Sequence, residues 1–251
     1  MSTAAQKPTT EELNRAFEPL LTYNTGSDRA LLLPLDRITS RSLADPALRL
    51  ELEKQLVAWL KSNLSAVALE YLLSKLAVAG SDFCVPAVAF LLPDARLSTA
   101  ARNTLEALPG SAPAKALRLS LPKLRGWQLI GVITSLGVRR DKESVGVLAK
   151  ILQSEDGLTR AAAIDALGQI GTPPAATVLQ KAQPAAPKHL QKNLSHALLN
   201  CARQLLAANE RKAAADLCAW LQGPGQPSNI QSAARRLLAG PPLSRSPGAS
   251  T

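Results

Sequence analysis

The sequence predicts an all-α protein whose paired helices stack as a solenoid, and three observations predict it. A leucine returns about every thirty residues inside Ala- and Leu-rich stretches: Leu76, Leu105, Leu136 and Leu167 are 29, 31 and 31 apart, and the beat resumes at Leu206 and Leu237, again 31 apart. A second set, Leu91, Leu121, Leu152 and Leu221, follows its marker leucine by 15 or 16 places, with Leu179 nearby in the fourth unit. The chain is 46% hydrophobic but only 3% aromatic, which favours closely packed helices over a β-sandwich or barrel. A period of this length marks stacked repeats, each too small to close a core alone and so burying its apolar face on its neighbours.

Along the chain, residues 1–10 are polar and 241–251 form a Pro/Ser/Gly tail; both are expected to be disordered. Amphipathic patterns at 11–21 and 46–61 predict helices, the second with Leu48, Leu52, Leu56 and Leu60 every four residues beside Trp59. Residues 11–64 are expected to cap the array's open end. Between these helices Asn24-Thr25-Gly26-Ser27 signals a turn, and Leu31-Leu32-Leu33-Pro34 receives no assignment.

The repeats are assigned to 65–240 as about five pairs, each reading helix A, turn, helix B, turn. In the fourth copy helix A covers 158–170, with Ala161, Ile164 and Leu167 on one face. Gly171 is placed to close it in the left-handed conformation, Thr172 to cap the next helix, and Pro173 to fill that helix's first turn. The punctuation recurs at Gly110-Ser111-Ala112-Pro113 and less closely at Gly80-Ser81. The 39 residues from Leu167 to Leu206 assign an insertion to the turn at 183–187, ahead of a long helix over 188–208.

Residues 160–171, RAAAIDALGQIG, resemble the first helix of a HEAT-like repeat of the short, phycobilin-lyase-type class. Residues 100–110, AARNTLEALPG, and 131–141, GVITSLGVRRD, resemble the HEAT-repeat modules of bacterial multidomain proteins. The resemblance covers roughly residues 20–179. It implies a right-handed αα-superhelix used for protein–protein interaction, often fused to catalytic or sensory domains, and it carries over no catalytic residue.

The formal charge is +10. Residues 1–62 hold 8 Lys/Arg and 8 Asp/Glu, so the excess, 21 against 11, belongs to the remainder. Residues 115–142 contain seven cations and one acid, Asp141. Arg118, Lys150 and Lys181 lie 32 and 31 apart, at nearly equivalent helix B positions, and are expected to form a ladder along the concave side. With Lys115, Arg139, Arg140 and Trp127 they are the candidate partner-binding residues, and an acidic protein surface is the expected partner. The alternative is that these cations only solvate the helices or bond to turn carbonyls and neighbouring acids.

Nucleic acid is the second candidate partner, although Trp127 is the only aromatic between Lys115 and Lys212 that could stack on bases. The aromatic cleft and catalytic carboxylate of HEAT-like DNA glycosylases map onto no motif here; Asp165, the mid-helix acid of the basic region, is expected to pair with a neighbouring arginine. A bilin-lyase-like enzyme is a third reading, from the repeat subtype. No phosphate loop, nucleophile elbow or constrained carboxylate pair is found, so a non-catalytic scaffold without cofactor is expected. His189 and His196, seven residues apart on one helix, are about 10 Å apart and cannot share a metal ion. Cys84, Cys201 and Cys218 have no partner spacing and are expected to be buried free thiols. No apolar run approaches the ~20 residues of a membrane helix. The start lacks an apolar signal core, so a cytoplasmic location is expected.

Overall fold

The computed structural model describes residues 10–184 and 186–239, and every regular element among them is helical. The helices are α1 (Thr10–Phe17), α2 (Leu33–Ser42), α3 (Pro46–Trp59), α4 (Ala66–Ala79), α5 (Val85–Phe90), α6 (Ser98–Ala107) and α7 (Ala112–Ser120). They continue with α8 (Gly126–Val138), α9 (Val145–Ile151), α10 (Gly157–Ile170), α11 (Pro173–Ala182), α12 (Lys188–Ala207), α13 (Arg211–Leu221) and α14 (Ser228–Ala239). The chain falls into two compact units, 1–135 and 136–251, divided within α8. Apart from Thr10, which opens α1, the ends expected to be disordered lie outside the described residues, as does Ala185 of the 183–187 turn.

The leucine beat is a burial beat. Leu76, Leu105, Leu136 and Leu167 are fully buried, and so is Leu198, another 31 residues on. Leu206 and Leu237, where the sequence spacing resumes the beat, are only half-buried. Helix B keeps the same time: Val88, Leu117, Leu148 and Leu179 are fully buried, each 12 residues after its marker. These four, and not the half-buried Leu91 and Leu152, centre the helix B core stripe. Leu56 of α3 precedes Val88 by 32 and is buried with Leu52, Glu53 and Leu60, the pattern that Cys84, Val85 and Leu92 make around Val88. The segment at 31–34, which the sequence leaves unassigned, closes a 3-10 turn at Arg29–Leu32 and opens α2, which buries Leu35 and Ile38 beside α3 and α4.

The long fifth unit owes its length to the helix and not to the turn. Five residues separate α9 from α10 and five separate α11 from α12, but α10 has 14 residues and α12 has 20. Past Leu198 every feature arrives seven residues late. Ala214, Leu217 and Leu221 of α13 are buried 16, 19 and 23 residues after Leu198, whereas Ala176, Leu179 and the half-buried Gln183 stand 9, 12 and 16 after Leu167. The left-handed residue that ends helix A is delayed equally: Arg140 (φ 50°) and Gly171 (φ 61°) are 31 apart, and Asn209 (φ 62°) follows 38 later. Seven residues are about two turns, so the phase of the apolar face survives the insertion.

Helix ends follow the capping chemistry of the sequence. The Thr172 side chain accepts from the Ala175 amide at 3.3 Å, and Asp156 accepts from Leu158 and Thr159 at the start of α10. At Arg140 the Asp141 amide reaches back to the Leu136 carbonyl and the Arg140 amide to Gly137, a Schellman closure made without glycine. Gly110 is left-handed (φ 79°), but Gly80 is extended, and a Cβ there would meet Cys84 and Leu108.

Within each unit successive A helices touch by different means. In unit 1 the Thr104 hydroxyl donates to the Leu73 carbonyl, and Arg102 lies across Gly131, donating to its carbonyl and to Ser135. At the N-terminal end of that unit, Asp36 of α2 accepts from Lys75 and Tyr71 of α4. Burial opposes ionisation of Asp36, but those two bonds and the charges of Lys75 and Arg29 outweigh it and hold its carboxyl below the usual range. In unit 2 backbone meets backbone: a Cβ on Gly137 would stand 2.8 Å from the Ala166 Cα, and one on Gly168 would stand 2.7 Å from the Ala197 carbonyl oxygen.

Two glycine substitutions should therefore act with opposite sign. Gly168→Ala is expected to destabilise by about 1–3 kcal/mol, because the clash is with backbone, lowering Tm by roughly 2–4 °C per kcal/mol. Gly146→Ala, in α9 with nothing within 4 Å of the added carbon, should stabilise by about 0.5–1 kcal/mol. Thermal unfolding followed by circular dichroism checks both.

Candidate functional site

Each helix B hides one stripe and offers the opposite one. The position two residues after the buried centre is open in all four regular copies: Phe90 and Leu119 in unit 1, Lys150 and Lys181 in unit 2. The outward register is thus apolar in one unit and basic in the other. Lys150 and Lys181 sit in the last turns of α9 and α11, where cations also suit the helix dipole. Arg118 is half-buried and lies one residue nearer the centre of its helix than the ladder position, about 100° around the axis. Leu119, 63% exposed, holds the place that the spacing gives to Arg118.

The other candidates are dispersed. Lys115 is exposed on α7, and Arg139 is half-buried just after α8. Arg140, exposed in its left-handed turn, lines a hollow of about 290 Å³ together with Lys142, Thr172, Gln204 and the acid Glu210. Trp127 is 76% exposed in the first turn of α8. Trp59, by contrast, stacks on Phe17 with ring centroids 5.4 Å apart, joining α1 to α3 as a filler between helices.

A concavity of about 710 Å³ in unit 1 lies between α5 and α7. Phe90, 83% exposed, and Leu119 line it with alanines and prolines, and Lys115 and Lys123 are its cations. No acid lines it. Sequence reasoning finds Lys115 but misses Phe90 and Leu119, because single apolar residues in an Ala/Leu helix read as core. The signal that locates them is their offset of two from the helix B centre.

His189 and His196 are both exposed on α12. Asp165 lies at an exposed position of α10, where partial desolvation raises its carboxyl above the ordinary range, opposed by the charge of His196. Among the described residues no group of three or more His, Cys, Asp or Glu could hold a metal ion, and no helix is long and apolar enough to cross a membrane.

Residues 129–198 match the family model for HEAT repeats. The match runs from α8 into α12 and reaches Leu198, so it begins later and ends later than the span over which the sequence resemblance is read. The helix pairs within residues 129–198 are similar to HEAT repeats, and every regular element among the described residues is helical. No curated protein matches the chain.

All three cysteines are buried and unpaired by disulfides. Burial pushes the thiols of Cys84 and Cys201 up to about 12 and raises that of Cys218; the Glu53 carboxylate adds to the effect at Cys84. Thiolate is the reactive form, so none of the three should react with a thiol reagent at pH 8 until the chain is unfolded in guanidinium. Native-state labelling of any one would contradict this.

Proposed function

We propose that this protein is a non-catalytic scaffold or adaptor that holds an acidic partner protein on the outward faces of its B helices. HEAT repeats commonly serve as protein-interaction scaffolds, and the matched segment contains both Lys150 and Lys181. The observation that carries the reading is the open helix B register itself. Its side chains contribute nothing to the core, yet it holds large apolar groups in unit 1 and cations in unit 2. Exposed aromatic and aliphatic side chains beside cations supply anchor and steering together.

A charge reversal tests this. Arg118→Glu, Lys150→Glu and Lys181→Glu combined should reduce recovery of specific partners from an extract of the source cells by about tenfold, since Lys150 and Lys181 are exposed and each exposed pair contributes up to ~1 kcal/mol. Native recovery should fall as salt rises, because charges are screened beyond ~8–10 Å at physiological ionic strength. Unchanged recovery by the triple variant would reject the reading. A mobility shift of duplex or single-stranded oligonucleotide at about 150 mM salt would instead favour nucleic acid as the partner.

A further inference from the structure

The groove between α5 and α7 has the form of a helix interface from which one helix is missing. On the α5 side its lining is formed by Val85, Pro86, Ala89 and Phe90 of the helix and by Pro93 of the turn that follows. On the α7 side Ala112, Ala116 and Leu119 repeat at four and three. Two helix faces laid side by side leave a furrow that accepts the ridge of a third helix. Ala89, Ala112 and Ala116 leave room for close approach, whereas Phe90 and Leu119 stand 83% and 63% exposed as walls with nothing against them.

Charge selects the occupant. Lys115, on α7, and Lys123, in the 3-10 turn at Leu121–Lys123 that follows it, are the ionisable residues of the lining among the described residues. Residues 1–9 and 240–251 contain no acid, so neither segment complements the groove, and a second copy carries the same net +10. Two cations over an apolar floor also offer little to a phosphate backbone, which is held by many charge contacts.

We propose that the groove seats an amphipathic helix of an acidic partner protein, with apolar side chains between Phe90 and Leu119 and carboxylates facing Lys115 and Lys123. This rests on the reading of the chain as a protein-binding scaffold and specifies which surface takes the partner's anchor. Helix-in-groove recognition needs apolar side chains at i, i+3, i+4 and i+7 on the guest.

The test is selection on the native chain from a display library of 18-residue peptides with that apolar pattern and with flanking positions varied among Glu, Gln and Lys. Enriched peptides should carry Glu at the flanks. A fluorescein-labelled copy of the best should lose affinity about tenfold or more for the double variant Phe90→Ala, Leu119→Ala, as anchors of a hot spot do. Lys115→Glu with Lys123→Glu should transfer preference to the Lys-flanked peptide. Lys54→Glu, at an exposed position of α3 outside the groove, should change nothing. Circular dichroism must match the native chain for each variant, and the exposure of the replaced side chains makes that the expected result. No enrichment, enrichment of Lys-flanked peptides, or binding indifferent to Phe90 and Leu119 would overturn the proposal. Binding lost only with Lys150→Glu and Lys181→Glu would overturn the groove while leaving the scaffold reading intact. Displacement of the peptide by an oligonucleotide at physiological salt would overturn the choice of partner.

Discussion

Where Gly168 meets Ala197 there is no space for one more carbon atom, and the same holds where Gly137 meets Ala166. Helix axes that come this close bury the leucine of each turn completely, because the neighbour supplies the wall that the helix's own pair cannot. Burial of a leucine side chain is worth about 1.5–3 kcal/mol, and the beat places one such residue per pair at the seam. No pair in such an array is stable on its own account. The glycine and alanine at the seam are what allow the leucines beside them to be shut away from water.

Unit 1 reaches a similar end with polar means. Thr104 donates across to the Leu73 carbonyl, and the Arg102 guanidinium covers Gly131 and joins Ser135, which in turn donates to Glu106. Glu53, almost fully buried on α3, accepts from the Ser81 and Cys84 amides at the turn that opens α5. These bonds specify register more than they add stability, since each replaces a bond to water and is worth about 1 kcal/mol net. Although the B helices also touch one another, each keeps one stripe that the core does not use. That leftover stripe is the surface available for recognition.

The fold is legible in the sequence because a helix repeats its needs at fixed intervals. Leu76, Leu105, Leu136 and Leu167 are identified by spacing alone, and all are fully buried. Gly171, Thr172 and Pro173 announce a helix end and a helix start, because few residues satisfy those backbone positions. Spacing misleads at Leu206 because α12 holds Leu198, Leu199, Leu205 and Leu206, and period alone cannot say which of them meets the neighbouring helix. Asn209 ends α12 in place of a glycine, so the usual full stop is missing. The α2 segment is opaque because Leu31-Leu32-Leu33-Pro34 passes from a 3-10 turn into a helix without a polar break. The candidate site is less legible still. Equivalence between repeats must be counted from buried centres, and a count made from charges places Arg118 where Leu119 stands.

The central claim is that each helix pair depends on the next for its core, and amide hydrogen exchange of Gly168→Ala beside the native protein addresses it most directly. The account predicts faster exchange in α12, around Leu194 to Leu198, as well as in α10, because the added carbon must push the two helices apart. Faster exchange confined to α10, with α12 unchanged, would contradict it.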